Sequence, residues 1–500
     1  MDSGFPGERE VGRISWRRRV RWRGVMVVLG GILMHLTLGT LYTFGNLSPY
    51  LTSFMREYGS APSLTYTQCA WIYALAAIGQ GASVSVGGLL ERKVGPKLCS
   101  LIGGWGMSLG VFLTYFSAKE SFGLTILTYG AMFGFFVGLA YAVPLGCAMR
   151  WFPQRKGLVN GLVVAGFGGG AFIFDQVQTA FINPDNFKPD KEVDGEKYFD
   201  QASVLDRVPT VFLILGGCYS GMQLLAAPLM CNPPGYSSTQ PQSQKKESVN
   251  HQEGEATTDD DIDSKSPLLD QPDKEEGGVF SSSVPATGDM EKQPSVEDVD
   301  DYTLSPRQVL KSRHFYCLWA MFLLNGMGST FISTLYKAYG QTFIKDDTFL
   351  ALVGSFAAVF NGAGRIFWGT IADKLSCRVA MLSMSAAFCA LILTLSVTSY
   401  GGKPLFFIYV CLLFGSFSGS FSIFPTATAK CFGRKYLGVN YGLVFTSQIL
   451  ISPLGVFLSE KLKTLIGWNG LFFFVGAFSL TSFLLAMFAF TAKDKKGKEI

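Results

Sequence analysis

The chain has 500 residues, of which 48% are hydrophobic, 14% aromatic and 16% charged, with a formal net charge of +5. A soluble globular domain carries nearer ~25% charged residues, so this composition excludes a soluble globule and describes a membrane protein. The 10 cysteines are scattered singly, with no CxxC and no paired spacing, which argues against a disulfide framework and against a zinc site.

The first 23 residues contain seven arginines, but the apolar run behind them is long enough to span a bilayer rather than be removed as a signal peptide. Runs of roughly 20 apolar residues, the length that crosses a ~30 Å hydrocarbon core, occur near 24–48, 66–90, 98–118, 122–148, 157–181, 208–230, 314–340, 348–370, 378–399, 404–428, 437–459 and 467–491. These are twelve expected spans. Lys and Arg concentrate in alternate loops: Arg17 to Arg23, Arg92 to Lys97, Arg150 to Lys156, Arg307 to Arg313, Lys374 to Arg378, Lys430 to Lys435 and Lys493 to Lys498. By the positive-inside rule both termini are then cytoplasmic.

This pattern divides the chain into a basic N-terminus (1–23), a first six-helix bundle (24–230), a linker (231–311), a second six-helix bundle (312–491) and a basic tail (492–500). Stretches of the linker such as "NHQEGEATTDDDIDSKSPLLDQP" are too polar to bury a core, so it is expected to be disordered and cytoplasmic. "SKSPLLD" within it reads either as an endosomal sorting signal with a phosphorylatable Ser264 or as a chance pair of leucines.

The two bundles repeat each other. Gly134, Gly138 and Pro144 recur as Gly415, Gly419 and Pro425 at one shared offset of 281 residues. "FPQRKGLVNGLV" after the fourth span answers "FGRKYLGVNYGLV" after the tenth, and "TLY" recurs at 40–42 and 334–336. Such internal repetition is expected of a transporter whose site lies at the midplane between repeats.

Arg365 lies deep inside the eighth span. At ~1.5 Å per residue it stands about 12 Å inward from Asp373, near the middle of the membrane. Intramembrane cations are costly and usually functional. Its planar fork matches a carboxylate in a way a lysine cannot; the structural alternative is a buried pair joining two helices. The same counting places His35, Gln80, Tyr141, Asn325, Asn361 and Gln448 near that level, a polar ring suited to a binding cavity. Asp175 and Lys337 fall nearer the external surface, as vestibule or gate residues. His35 is a candidate proton carrier, since its ordinary pKa is near ~6.5, or else a neutral histidine hydrogen-bonded between helices. The GxxxG runs at 130–138 and 415–419 supply small faces for close helix contact. "GFGGGA" (166–171) lies in an apolar span without a preceding strand, so it is not a nucleotide-binding turn.

"GGLLERKVGPKL" (87–98) and "GTIADKLSCR" (369–378) resemble the G-x-x-x-D/E-R-x-x-G-x-K/R loop that each half of a major facilitator transporter carries. "GLAYAVPLGCAMRWFPQRKGLVNGLVVAGFGGGA" (138–171) is similar to the oxalate–formate antiporter family, relatives of the monocarboxylate transporters that include pyruvate carriers. The resemblance implies an all-α membrane protein of twelve helices in two pseudo-symmetric six-helix bundles, with Glu91, Arg92, Asp373 and Lys374 as gating-loop charges. It implies that Arg365 binds substrate carboxylate and that Tyr141 lines the pocket. Phe417 and Phe421 stand where the oxalate transporter has Trp and Tyr, and Asn361 where monocarboxylate transporters carry an aspartate. Tyr42, in the repeated Thr-Leu-Tyr, joins this set. Gln448, in "NYGLVFTSQI", departs from the oxalate pattern N-x-G-L-x-Y-T-A-K-G by replacing its second cation. Two cations suit a dianion, whereas one cation and a neutral donor suit a monoanion.

The expected function is therefore transport of a small monocarboxylate of the pyruvate, lactate or formate class by rocker-switch alternating access. Proton symport is favoured over exchange because a cotransported proton would make monoanion uptake electroneutral. Oxalate–formate exchange and a transporter-fold receptor without flux are the alternatives. No nucleophile–base pair, metal cluster or cofactor motif shares a depth, so no enzyme activity, cofactor or nucleic-acid partner is expected. The expected partners are a small organic anion, protons and the lipid bilayer, with the plasma membrane preferred over an organelle. An epitope inserted at 251–270 should react with a non-permeant label only after cells are permeabilised; labelling of intact cells would reverse the topology.

Overall fold

The computed structural model describes residues 6–59, 61–193, 196–234, 236 and 303–491; the expected sorting signal and the basic tail lie outside them. The described chain is almost entirely helical. Its spanning helices, α1 to α12, fall where the twelve apolar runs place them. They are α1 (Trp22–Glu57), α2 and α3 (66–94 and 96–120), α4 (Phe122–Trp151), α5 (Lys156–Ile182), α6 (Ala202–Leu229), α7 (Arg313–Gly340), α8 (Asp347–Lys374), α9 (Cys377–Leu393), α10 (Leu395–Phe432), α11 (437–466) and α12 (468–489).

Local chemistry explains where helices start and turn. Thr65 and Gln68 form a reciprocal capping box at the start of α2, and the side chains of Ser121, Ser312, Asp346 and Ser376 each accept from an amide in the first turn of the following helix; these caps satisfy donors a helix cannot pair internally. The corner between α2 and α3 is made by Gly95 at φ +83, and that between α11 and α12 by Gly467 at φ +64. Side chains with a Cβ rarely adopt that geometry, and each glycine lets an apolar helix end and reverse within one residue. Large apolar side chains such as Leu109, Phe116, Phe473 and Phe488 remain exposed on the outside, as expected where the surrounding solvent is lipid.

Two features were not foreseen. A short antiparallel hairpin, β1 (Lys191–Val193) and β2 (Glu196–Tyr198), pairs Lys191 with Tyr198 between α5 and α6. It is pinned to α1 by Lys191–Glu57 (2.6 Å), by Arg56 over the Tyr198 ring (4.2 Å) and by the Phe199 amide donating to Ser53 Oγ (3.0 Å). The Asp194-Gly195 pair was its sequence signal. Both ends of the expected linker are also ordered. Trp151 Nε1 donates to the Cys231 carbonyl (2.7 Å), and the Leu304 amide to the Phe432 carbonyl (3.0 Å), ahead of a helical turn at Pro306–Val309. Trp151 and Phe432 end α4 and α10 and are themselves related by the 281-residue offset, so each bundle holds its end of the linker at an equivalent place.

At the end carrying the basic loops the two bundles close on one another through backbone. A Cβ on Gly369 would lie 2.2 Å from the Gly157 carbonyl, one on Gly88 2.4 Å from Gly438, and one on Gly442 2.3 Å from the Ser85 amide. Asp373 completes the contact from α8: its two oxygens accept from the Gly157 and Leu158 amides of α5, each at 2.8 Å. A carboxylate at a helix N-terminus satisfies free donors and opposes the helix dipole. Arg92 stacks on Tyr436 of the other bundle at 4.0 Å. Glu91 instead pairs within its own bundle with Arg150 of α4 (2.6 Å), both nearly buried, and Arg150 also donates to Asn232 (2.7 Å). Lys374 is exposed in the last turn of α8.

Replacing Asp373 by Asn should remove about 1–2 kcal/mol from this cap. Amides 157 and 158 should then exchange about 5- to 30-fold faster with deuterium, read by mass spectrometry on the peptide that contains them; unchanged exchange would mean that the carboxylate does not hold the closed end.

Candidate functional site

The helices that border the middle of the seam between the bundles are interrupted there. α1 tightens to a 3₁₀ turn over Gly39–Thr43, α10 breaks between Phe417 and Ser420, and α11 between Phe445 and Gln448. Gly39 sits so tightly on α5 that a Cβ would fall 1.8 Å from the Phe167 carbonyl oxygen. Broken helices expose backbone groups and redirect side chains where a transporter needs them.

Arg365 occupies this seam with 0% of its surface exposed. Its Nε donates to Asn361 Oδ1 (3.0 Å), one turn back on α8, and its Nη1 crosses the seam to the Val164 carbonyl of α5 (3.0 Å). Nη2 is buried without a hydrogen-bond partner. A charged donor left open in a low-dielectric place is costly unless it serves a ligand. The guanidinium lies 4.8 Å from the Phe421 ring centre and 5.9 Å from that of Phe167, so aromatic faces take up part of its charge.

An aromatic wall continues from there across both bundles. His35 is 5.2 Å from Tyr141, which is 5.4 Å from Phe167, 5.2 Å from Phe445 and 6.4 Å from Tyr441. Phe322 extends it to Phe421 (5.9 Å), Phe424 (4.9 Å) and Phe445 (5.6 Å). Tyr42 packs edge-on against Phe167 at 5.4 Å and lies within electrostatic range of Arg365, as do His35, Tyr141 and Tyr441. Tyr42 is nonetheless 37% exposed, unlike the fully buried guanidinium. His35 Nδ1 faces the Gly31 carbonyl at 3.2 Å, so this nitrogen carries the hydrogen and Nε2, which is buried and unpaired, is the acceptor.

The expected residues therefore divide. Arg365, Asn361, Tyr42, Tyr141, Phe421 and His35 are brought together. Phe417 is not: it packs on Phe414 (5.1 Å) and Phe388 (6.4 Å) in the core of the second bundle. The break after Phe417 turns the helix, so residues four apart do not share a face. Gln448 stands one turn beyond Phe445, its Cβ 3.6 Å from where a Cβ of Gly81 on α2 would be, and its buried Nε2 is unpaired. Asn325 bonds Ser482 (3.0 Å) within the second bundle, which makes it a helix tie. Phe167, Phe322, Phe424, Tyr441 and Phe445 were not foreseen, because apolar aromatics in an apolar span give no periodic signal separating wall from core.

The profile of the Major Facilitator Superfamily matches residues 27–456 and 318–500. The chain belongs to the major facilitator superfamily. It is 30% identical to apicoplast pyruvate carrier 1 of Toxoplasma gondii over 95% of this chain and 89% of that one. It is 24% identical to the oxalate:formate antiporter of Oxalobacter formigenes over 96% and 94%, and 23% identical to human monocarboxylate transporter 14 over 86% and 83%. Among solved structures, the proton:xylose symporter XylE aligns with TM-score 0.62 at 11% identity over 95% of this chain and 97% of that one. The fucose:proton symporter FucP of E. coli aligns with TM-score 0.57 at 14% identity over 93% and 98%. These two likenesses support the fold alone.

Replacing Arg365 by Lys should lower uptake at least about tenfold with normal membrane insertion, because a point charge cannot hold Asn361, Val164 and a carboxylate together. Phe421→Leu should raise the KM for substrate several-fold, whereas Phe417→Leu should leave KM unchanged; equal effects of the two would remove the aromatic wall from the site.

Proposed function

We propose that this transporter carries small monocarboxylates of the pyruvate, lactate or formate class, coupled to protons, by a rocker-switch exchange of access between its two sides. The observation that carries this reading is the fully buried Arg365 with an uncommitted nitrogen, set in an aromatic wall built by both bundles. A carboxylate accepts from such a fork while its short apolar remainder packs on rings. Among the described residues the other buried Lys and Arg side chains are Arg150 and Arg434, which belong to the basic-loop end. A single cation at the seam, with the neutral Gln448 nearby, favours a monoanion over a dianion.

The relatives support the substrate class, since their names specify pyruvate, oxalate and formate, and monocarboxylates. Asn361, expected as a substrate contact, instead orients the guanidinium, and we assign it that role. Exchange of one anion for another, as the name of the Oxalobacter relative describes, is the second reading. Two relatives are named as apicoplast carriers, so an organelle membrane stands beside the plasma membrane as the site of action.

Purified protein in liposomes should take up labelled pyruvate, lactate or formate at least about fivefold faster than labelled oxalate, and an inward proton gradient should stimulate that uptake. Flux that occurs only against an internal anion, indifferent to the gradient, would establish exchange. Binding without flux would establish a receptor.

A further inference from the structure

Asp175 is a second charged residue of the membrane region, and the site above does not use it. It follows Gly161 and Gly168 on α5 at seven-residue spacing, which returns to the same helix face. The first of these glycines meets the Arg365 backbone carbonyl, where a Cβ would be 2.5 Å away, and the second the Asn361 side chain at 3.1 Å. The backbone of Asp175 thus falls on the face of α5 that carries these two glycines. It is about 10 Å from the Gly168 level at ~1.5 Å per residue, on the side of the β1–β2 hairpin.

Its Oδ1 is buried and accepts no hydrogen bond, and among the described residues no neighbouring cation acts on it. The polar groups beside it bond one another. Asn46 of α1 donates to the Asp175 carbonyl (3.3 Å), to Gln178 Oε1 (3.1 Å) and to Thr179 Oγ1 (3.2 Å), and Gln178 Nε2 donates to Thr43 Oγ1 (2.9 Å). The titratable groups acting near it from other helices are Tyr129 of α4 and Tyr219 of α6. A carboxylate with no cation is costly as an anion in such a place and loses that cost on taking a proton. His35 is a poorer carrier: a proton there would set a second cation within range of Arg365.

We propose that Asp175 is the proton-carrying group of the transport cycle. Its carboxylate forms an O–H bond with a proton from solvent on the hairpin side while the substrate monoanion pairs with Arg365. After the bundles rock, that bond breaks and the proton passes to water on the opposite side. One proton and one monoanion cross together, so no net charge moves. The assignment rests on the proton-coupled reading above.

The test uses full-length protein in liposomes, with labelled pyruvate as probe. Two assays are run: uptake driven by an inward proton gradient, and counterflow against internal pyruvate at equal pH. Wild type should show gradient stimulation of about tenfold; Asp175→Asn should show less than about 1.5-fold while keeping counterflow within twofold of wild type. Asp175→Glu should keep the stimulation with a displaced pH midpoint. Full stimulation in Asp175→Asn, or loss of counterflow equal to loss of driven uptake in a variant that elutes as wild type, overturns the assignment alone. If Asp175→Asn does not fold, the Glu variant decides, an unchanged midpoint overturning it. Absence of stimulation in wild type overturns the proton-coupled reading and the assignment with it.

Discussion

A single buried cation at the seam between two bundles governs the arrangement around it. Arg365 can sit with 0% exposure because a side chain of its own helix and a backbone carbonyl of the facing bundle each accept from it, and rings of both bundles cover the rest. Desolvating a guanidinium is expensive, so the groups that meet it must be held in place. The interruptions in α1, α10 and α11 serve that need, since each turns a short stretch of chain out of its helical course beside the cage.

The same residue also ties the two bundles together. Its bond to the Val164 carbonyl crosses from α8 to α5 and so joins the two bundles at the middle of the seam. At the basic-loop end the crossing contacts are of another kind. Glycines bring backbones together, and Asp373 caps α5 from the opposite bundle. The duplicated loop is not used alike in the two halves, because Glu91, the counterpart of Asp373, is held within its own bundle by Arg150. An internal repeat of sequence thus supports asymmetric contacts.

The two ordered ends of the linker add a constraint that its composition conceals. Residues 231–232 attach to the end of α4 and residue 304 to the end of α10. Arg150 is shared between Glu91 near the end of α2 and Asn232 of the linker, so that helix end and the segment that joins the bundles meet at one guanidinium.

What the sequence determined by itself was everything that depends on length, spacing and charge along the chain. Twelve apolar runs, the alternation of basic loops, the 281-residue repeat and the depth of Arg365 follow from the bilayer's thickness and the rise of a helix. Tyr141 and Asn361 were legible because polar or amphipathic groups at mid-depth need a reason to be there, and Tyr42 through the repeated Thr-Leu-Tyr. What the tertiary structure alone decided was direction. Phe417 and Phe421 are equivalent along the chain, yet the break at 418–419 sends one into the bundle core and the other to the guanidinium. Phe167, Phe322 and Phe445 become walls because helices from opposite bundles meet at their rings. An apolar side chain in an apolar helix costs the same facing lipid, core or cavity, and contacts across the seam choose among the three.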